Sequence, residues 1–479
     1  MSDKIVAHIE ANQKKYVDRL AEAVGIPSVS GDASYRHHVF EMADWLANEF
    51  TKVGAQVTKR PLGKQEIQGE TIDLPPALLG QIGNDPAKKT ILVYGHFDVQ
   101  PALKSDGWDS EPFKLVHDEA TGRLYGRGST DDKGPILGWL HVLEAHKELG
   151  LDLPVNLKFV FEGMEESGSE GLEELVVSEK NGFLAGVDAV CISDNYWLGT
   201  TKPCITHGLR GCAYFYLTVS GPARDLHSGV FGGVVHEPMT DLISIMSRLV
   251  TPEGKILIPG INEQVAPLTD AEREVYNVMD FSLEDINSAT GSKTTISDDK
   301  VSMLMSRMRY PSLSLHGIEG AFAEPGAKTV IPAKVTGKFS IRMVPDMDGQ
   351  KVIDAVKAYV EDEFKKLGSR NTIEFKHDSP GLPWVADPNV SAQAYQHWNY
   401  EAAFRATEKV YGVRPDLTRE GGSIPITLTF ADTLNCNVLL LPMGRSDDGA
   451  HSTNEKIDLS NYIKGTQLLG TYLYEVASA

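Results

Sequence analysis

The 479-residue sequence contains little cysteine and no long hydrophobic run. It has only four cysteines and no CxxC pair, which argues against a zinc knot or a disulfide framework. No stretch is apolar for long enough to span a bilayer, and the first twenty residues mix charged and apolar side chains, unlike a signal peptide. We therefore expect a cytoplasmic protein with no membrane partner.

Basic residues are also scarce relative to acidic ones. The chain has 46 Lys and Arg against 66 Asp and Glu, a net charge of -20, which disfavours nucleic acid as a partner. It lacks the GxSxG, HExxH and GxxxxGK[ST] motifs, so a serine hydrolase, a single-zinc protease and a P-loop enzyme are all disfavoured. Its 41% of hydrophobic residues and its length are sufficient for two folded units.

Apolar periodicity predicts an α/β fold with an insertion. Strands at 90–95 and 155–163 flank a helix at 134–150, the pattern of a largely buried sheet. From about residue 211 the pattern changes to alternating, antiparallel-type strands, and it returns to the first type after a Pro- and Gly-rich stretch at 379–384. We predict a central mixed, mostly parallel sheet built from 1–209 and 383–479, and an inserted α+β domain with an antiparallel sheet at 210–382.

Acidic residues and histidines follow the predicted strands, where open α/β sheets bind their ligands. Each has an ordinary alternative, such as a solvated turn, a helix cap or a surface histidine. If several of these carboxylates meet, they repel one another unless a cation lies among them, and carboxylates with imidazoles suit zinc or manganese. Spacing alone does not decide between these interpretations. The residues are His96, Asp98, Asp131, Asp132, Glu165, Glu166, Asp194 and His451.

The motifs around these residues resemble those of a known family. YGHFDV, YGRGSTDDKG, EGMEESGSEG, CISDN and GAHSTNEK occur in this order, as in the two-metal amidohydrolases that include aminoacylases, bacterial carboxypeptidases and dipeptidases. The resemblance extends along essentially the whole chain, through DLHSGVFGG, RYPSLSLHGIEGAF, AKTVIP and DLTREGGSIP, and is strongest to the carnosinase-like dipeptidases. It implies a catalytic α/β domain of the zinc-exopeptidase type and an inserted domain that serves as lid and dimerisation unit.

The resemblance also implies roles for the clustered residues. Two divalent ions, Zn²⁺ or Mn²⁺, would activate a water molecule, with Glu165 as general base and Asp98 orienting His96. A cis peptide would follow Asp131, which would bridge both ions. The remaining ligands would be His96 and Asp194 for one ion, and Glu166 and His451 for the other.

The substrate implied by the resemblance is a dipeptide such as Cys-Gly, a product of glutathione breakdown. Arg342 and Ser423 would bind its carboxylate, and Thr329 would be a further substrate contact. His227 would reach the site from the second subunit of a homodimer. Without the resemblance, Arg342 would be read as a solvent-facing strand residue, Ser423 as part of a tight turn and His227 as a loop histidine.

Two other functions are also compatible with the sequence. An N-acyl-amino-acid hydrolase or a carboxypeptidase of the same family would use the same metal ligands, and a panel of substrates separates these activities. A non-catalytic metal-binding protein with this fold would have lost ligands or the general base, whereas every one of these residues is present.

Overall fold

The computed structural model describes residues 2–67, 69–386, 397–422 and 424–479. Its α-helices are α1 (Ser2–Ala11), α2 (Gln13–Val24), α3 (Arg36–Lys52), α4 (Lys133–Leu149), α5 (Leu172–Glu179), α6 (Ser228–Phe231), α7 (Pro238–Met246), α8 (Asp270–Val278), α9 (Leu283–Thr290), α10 (Lys300–Met308), α11 (Gly349–Leu367), α12 (Trp398–Tyr411), α13 (Ile426–Leu434) and α14 (Leu459–Ala477). No helix in these ranges is both long and apolar enough to cross a membrane.

The strands of the described residues fall into one large sheet and several smaller ones. They are β1 (Gln56–Arg60), β2 (Lys64–Ile67), β3 (Glu70–Asp73), β4 (Ala77–Ile82), β5 (Thr90–His96), β6 (Val116–Asp118), β7 (Arg123–Tyr125), β8 (Asn156–Glu162), β9 (Ala189–Ile192), β10 (Cys204–Leu209), β11 (Gly211–Ser220), β12 (Leu226–His227), β13 (Ser312–Glu319), β14 (Val330–Ile331), β15 (Lys334–Met343), β16 (Thr372–His377), β17 (Trp384–Val385), β18 (Asp416–Glu420), β19 (Asn437–Leu440) and β20 (Lys456–Asp458).

The large sheet has the order β1-β4-β8-β5-β9-β19-β10-β17, with β18 paired to β10. The four neighbouring strands β8, β5, β9 and β19 are mutually parallel, whereas β4 and β10 run antiparallel to this group. Because parallel strands end at the same edge, the loops after β5, β8 and β9 are brought together. The predicted α/β class with a central mixed, mostly parallel sheet is confirmed.

Side chains of the central strands alternate between two apolar layers. On β5, Val93 belongs to a core that contains residues of α1 to α4, α12 and α14, whereas Tyr94 belongs to a second core with residues of α5 and α13. Helix α4 packs closely against α14, since a Cβ on Gly138 would lie 3.1 Å from Leu469. The sheet is therefore covered on both faces, and its strand ends form a rigid base.

A second sheet accounts for the change in pattern after residue 211. It has the antiparallel order β13-β15-β11-β16, and α7 and α11 pack against it over a separate core that includes Phe215, Phe339 and Val356. The α+β character predicted for this region is confirmed. The boundaries at 210 and 382 stay a prediction.

Candidate metal centre and active site

The register of the parallel strands determines which side chains meet. His96, the last residue of β5, pairs in register with Glu162, the last residue of β8. The short turn that carries Glu165 and Glu166 follows β8, and Asp194 follows β9. All of these side chains therefore start from one edge of the sheet.

Three of the residues expected to bind metal form a buried group. His96 Nε2 lies 3.0 Å from Asp131 Oδ1 and 3.6 Å from Asp194 Oδ2. One donor atom from each of these residues lies within 4.8 Å of the others. The His96 side chain is completely buried, and the side chains of Asp131 and Asp194 are 9% and 8% exposed.

A second group of three shares Asp131 with the first. His451 Nε2 lies 3.1 Å from Asp131 Oδ2 and 3.0 Å from Glu166 Oε2. The His451 side chain is 58% exposed, and its backbone φ of 62° lies in the left-handed region that histidine rarely adopts. Asp131 thus turns one carboxylate oxygen to each group. We call the five residues His96, Asp131, Glu166, Asp194 and His451 the histidine–carboxylate cluster.

Asp98 supports this cluster in two ways. Its Oδ1 lies 3.4 Å from His96 Nδ1, and its carbonyl oxygen lies 3.2 Å from the same nitrogen, so it contacts the imidazole. Its carboxylate also accepts hydrogen bonds from the backbone N–H groups of Glu165 (3.2 Å) and Glu166 (3.1 Å). The sequence did not predict this second contact, which holds the turn after β8.

The cluster lies beside a cavity of about 250 Å³ whose charge is strongly acidic. Burial, reinforced by the negative charge of Asp194, raises the pKa of the Glu165 carboxyl well above its usual value, although His96 opposes this shift. Burial also raises the pKa of Asp194 to about 6. Hydrogen bonds to Asp131 and Glu166 raise the pKa of His451 to about 11. The described residues that line the cavity are Asp131, Glu165, Asp194, Asn195, Tyr196, Glu420, Gly422, Ile424, Ala450 and His451.

These observations test whether divalent metal ions fit. No lysine or arginine is among the described residues that line the cavity, so the carboxylates lack a permanent side-chain cation there. The two groups offer imidazole nitrogens and carboxylate oxygens, the donor types that zinc and manganese accept. Several carboxylates buried together favour a nearby positive charge, and a divalent ion supplies such charge in place of protons. The residues therefore fit divalent metal ions.

A buried carboxylate that sequence reasoning missed holds the loop before Asp131. Glu455 Oε1 accepts hydrogen bonds from the backbone N–H groups of Gly128 (3.0 Å), Thr130 (3.2 Å) and Asp131 (3.2 Å). Its Oε2 accepts a hydrogen bond of 2.7 Å from Arg127 Nη1. More than 320 residues separate the partners, and no spacing rule could have linked them. The expected cis peptide between Asp131 and Asp132 is present in this loop.

The residues expected to bind substrate lie in different places. Arg342 is half-buried on β15, whereas His227 and Thr329 are exposed and adjacent, because β12 pairs with β14 and Ser228 N–H donates to the Thr329 carbonyl. None of the three is among the described residues lining the acidic cavity. Ser423 lies outside the described residues.

Comparison with known proteins gives full-length matches. The model of Peptidase family M20/M25/M40 matches residues 92–475. The chain is 56% identical over 476 residues to the Cys-Gly metallodipeptidase of Schizosaccharomyces pombe, covering 99% of this chain and 98% of that protein. It is 44% identical over 478 residues to the human Beta-Ala-His dipeptidase, covering 99% and 92% respectively. The solved structure of the dipeptidase Dug1p from Saccharomyces cerevisiae is 52% identical, with a TM-score of 0.93 and coverage of 100% of this chain and 99% of that one.

Proposed function

The chain belongs to peptidase family M20/M25/M40 and is a metallopeptidase, and from this premise we propose that it is a dipeptidase that hydrolyses Cys-Gly. The proposed reaction rests on one observation. Asp131 belongs to both groups of residues that could bind a metal ion, and Glu165 lies beside them at the same cavity. The choice of Cys-Gly is supported by the 56% identical relative that bears this activity in its name.

We propose that each subunit holds two divalent ions, Zn²⁺ or Mn²⁺. Asp131 would contribute a ligand to both ions, His96 and Asp194 would complete the protein ligands of one, and Glu166 and His451 would complete those of the other. When bound, such ions polarise the scissile carbonyl and lower the pKa of a nearby water molecule. Asp98 keeps the His96 imidazole and the Glu165–Glu166 turn in position.

Glu165 is the proton carrier in this proposal. Its carboxyl lies at the cavity but belongs to neither group of ligand atoms, so it is free to exchange a proton. As a base it takes a proton from the attacking water, and as an acid it returns that proton to the nitrogen of the departing amine. Such transfer typically contributes about 10²- to 10⁴-fold to the rate.

Recognition of the substrate involves residues outside the acidic cavity. In this proposal Arg342 binds the free carboxylate of the dipeptide through its guanidinium fork, and Ser423 provides a second contact. His227 and Thr329 are exposed in this subunit and reach the site of the other subunit in a homodimer, where His227 stabilises the charge that develops on the carbonyl oxygen.

We also propose a cytoplasmic location. All four cysteines, Cys191, Cys204, Cys212 and Cys436, are free thiols in the structure, which suits a reducing compartment.

An activity assay on metal-stripped protein tests the function. The protein is stripped of metal and then supplied with Mn²⁺ or Zn²⁺ separately, and release of glycine from Cys-Gly is measured. We expect activity to return with metal and to be absent in Glu165→Gln. Beta-Ala-His tests the activity named for the 44% identical human relative.

An N-acylated amino acid is the control substrate for this assay. Cleavage of the acylated compound without cleavage of Cys-Gly would replace the dipeptidase proposal with an acyl-amino-acid hydrolase. Cleavage of neither compound with either ion would favour a protein that binds metal without catalysis.

A further inference from the structure

Arg210 links the two large sheets. It is the single residue between β10 of the central sheet and β11 of the antiparallel sheet. Its backbone N–H donates to the carbonyl oxygens of Glu420 (3.3 Å) and Gly422 (3.1 Å), at the turn that follows β18. Glu420 and Gly422 also line the acidic cavity, so Arg210 lies directly behind the wall of the proposed active site.

The Arg210 guanidinium is fixed to this turn and to the antiparallel sheet. Nε donates to the Gly421 carbonyl at 3.1 Å, and Nη1 donates to Ser312 Oγ at 3.0 Å. A Cβ at position 421 would lie 3.1 Å from Arg210 Nη2, so a glycine there lets the turn pack closely against the guanidinium. The side chain therefore holds Gly421 and Ser312 at a constant distance from each other.

Ser312, which accepts a hydrogen bond from Arg210, is also the direct strand neighbour of Arg342. On the antiparallel sheet Ser312 pairs directly with Arg342, which also pairs with Cys212, two residues after Arg210. The hydrogen bond from Arg210 to Ser312 and the pairing of Ser312 with Arg342 make the two arginines neighbours. Burial lowers the pKa of Arg210 to about 10, and the positive charge of Arg342 acts in the same direction, whereas Glu420 opposes it.

Glu420 offsets part of this positive charge, but its ion pair is with Arg307. Arg307 has a carboxylate partner, because its Nη2 lies 3.6 Å from Glu420 Oε1. In the described part of the chain, neither Arg210 nor Arg342 forms an ion pair with a carboxylate. Two unmatched guanidinium groups in a protein of net charge -20 indicate a site for an anion.

We propose that Arg210 is a specificity-determining positioning residue that makes this enzyme select dipeptides with a free C-terminal carboxylate. It fixes the Gly421–Gly422 turn against Ser312 and supplies a second positive charge beside Arg342, which contacts the carboxylate. This inference rests on the proposed dipeptidase function and deepens it. It predicts that Arg210 acts on substrate binding, and only when the substrate carries the carboxylate.

A matched pair of substrates isolates that contribution. Cys-Gly and Cys-glycinamide share the amine, the thiol and the scissile bond, and they differ only in the carboxylate. For Arg210→Met we expect KM for Cys-Gly to rise about 10- to 100-fold, since hydrogen bonds and charge acting on an ionised group are lost, while kcat changes by less than about threefold. For Cys-glycinamide neither constant changes beyond about threefold.

Three further variants distinguish the effect of the Arg210 charge from that of its hydrogen-bond geometry and from a non-specific loss of stability. Arg210→Lys keeps the charge but cannot hold Gly421 and Ser312 together, so its KM for Cys-Gly should fall between wild type and Arg210→Met. Arg248→Met removes a guanidinium already paired with Glu363 and should leave both substrates unaffected. Ser312→Ala removes one hydrogen bond of Arg210 and should raise KM for Cys-Gly about 5- to 10-fold, with no such rise for Cys-glycinamide. This variant is the test if Arg210→Met does not fold.

Binding measurements separate this inference from the proposed function. Calorimetry with metal-loaded Glu165→Gln should show that Cys-Gly binds about 10-fold or more tightly than Cys-glycinamide, and that adding Arg210→Met reduces this preference, because Arg342 alone then faces the carboxylate. Equal losses on both substrates would make Arg210 purely structural and overturn the inference, as would an unchanged preference. If wild type fails to hydrolyse Cys-Gly, the proposed function fails, and the calorimetric preference still decides the role of Arg210.

Discussion

Residues of the segment 445–458 belong to two acidic clusters. The clusters differ in whether a positively charged side chain offsets the repulsion between their carboxylates. In the lysine-centred cluster, Lys456 Nζ lies 2.6 Å from Asp448 and 2.8 Å from Asp447, and it also contacts Asp458. The histidine–carboxylate cluster has no such ammonium group among the described residues around its cavity. Both clusters have donor atoms close enough to hold a metal ion. The lysine-centred cluster already contains a cation, so only the histidine–carboxylate cluster requires a bound metal ion to offset its negative charge.

Proximity of carboxylates alone therefore does not identify a metal site. Burial lowers the pKa of Lys456, but Asp448 and its neighbours outweigh burial and raise it, so the lysine stays charged. In the histidine–carboxylate cluster, burial raises the pKa of Asp194 to about 6 although His96 opposes the shift, and burial likewise raises the pKa of the neighbouring Glu165. We call the lysine-centred cluster balanced, because Lys456 offsets its negative charge, and the histidine–carboxylate cluster unbalanced. Altering each cluster separately tests this contrast.

Removal of metal should have the largest effect, and only on the unbalanced cluster. Treatment with a chelator is expected to abolish peptide hydrolysis and to lower the melting temperature, because ions that bind only the folded state stabilise it by about 4 kcal/mol at roughly 1,000 times their dissociation constant. Activity and calorimetric melting are measured before and after Mn²⁺ or Zn²⁺ is restored. A chelated protein that kept full activity would refute a metal requirement.

The next largest effect is expected from Glu165→Gln. This change removes the proton carrier and leaves all five residues of the histidine–carboxylate cluster in place, so kcat should fall by about 10²- to 10⁴-fold. Metal content, measured by elemental analysis, should stay equal to that of wild type. If metal content fell together with kcat, Glu165 would be a ligand and not a proton carrier.

Lys456→Met converts the balanced cluster into an unbalanced one. Removing one partner from a buried charge cluster is expected to lower the free energy of unfolding by about 3 to 5 kcal/mol at pH 8. The variant should regain stability as the pH falls toward about 4, because its buried carboxyls then have folded-state pKa values above the unfolded value of about 3.9.

Urea denaturation at pH 5 and pH 8 measures this difference. Lys376→Met is the control, since Lys376 forms an exposed pair with Glu374 and its loss should change stability by less than about 1 kcal/mol. Equal destabilisation of Lys456→Met at both pH values would mean that packing, and not charge balance, explains the role of Lys456.

The smallest effect concerns the residue that connects the two clusters. Glu455 precedes Lys456 and holds the backbone of Asp131, so Glu455→Gln should weaken metal binding about 10- to 100-fold without touching a ligand. Isothermal titration with Mn²⁺ measures this loss. Asp109→Ala breaks a neighbouring tie to Asn454 and should leave the affinity within about threefold of wild type. Unchanged affinity in Glu455→Gln would show that the Asp131 loop holds its position without this carboxylate.

The sequence predicted the parts of this site that depend on local pattern. His96 and Asp194 were singled out because one ends and the other follows a strand whose apolar run is visible in the sequence, and the motifs around Asp131, Glu166 and His451 belong to the family resemblance. The α/β class followed from the same periodicity, since buried parallel strands read as continuous apolar segments.

Contacts between distant segments could not be predicted in this way. The Glu455 hydrogen bonds and the Arg210 contacts join residues separated by about 100 to 330 positions, through polar groups with no periodic signal. The balancing role of Lys456 was missed for the same reason, because GAHSTNEK reads equally well as a solvated loop until the three aspartates are seen around the lysine. The assigned roles of Arg342, His227, Thr329 and Ser423 stay predictions.

The strand order has a consequence for how the chain is made. Strands β9 and β10 are consecutive along the chain, yet β19, which is synthesised more than 220 residues after β10, lies between them in the sheet. Until residue 440 has left the ribosome, β9 and β10 each have an unpaired side, and such edges favour aggregation. We therefore expect newborn chains to depend on chaperones during this interval, and nascent chains arrested before β19 to be more prone to aggregation than those arrested after it.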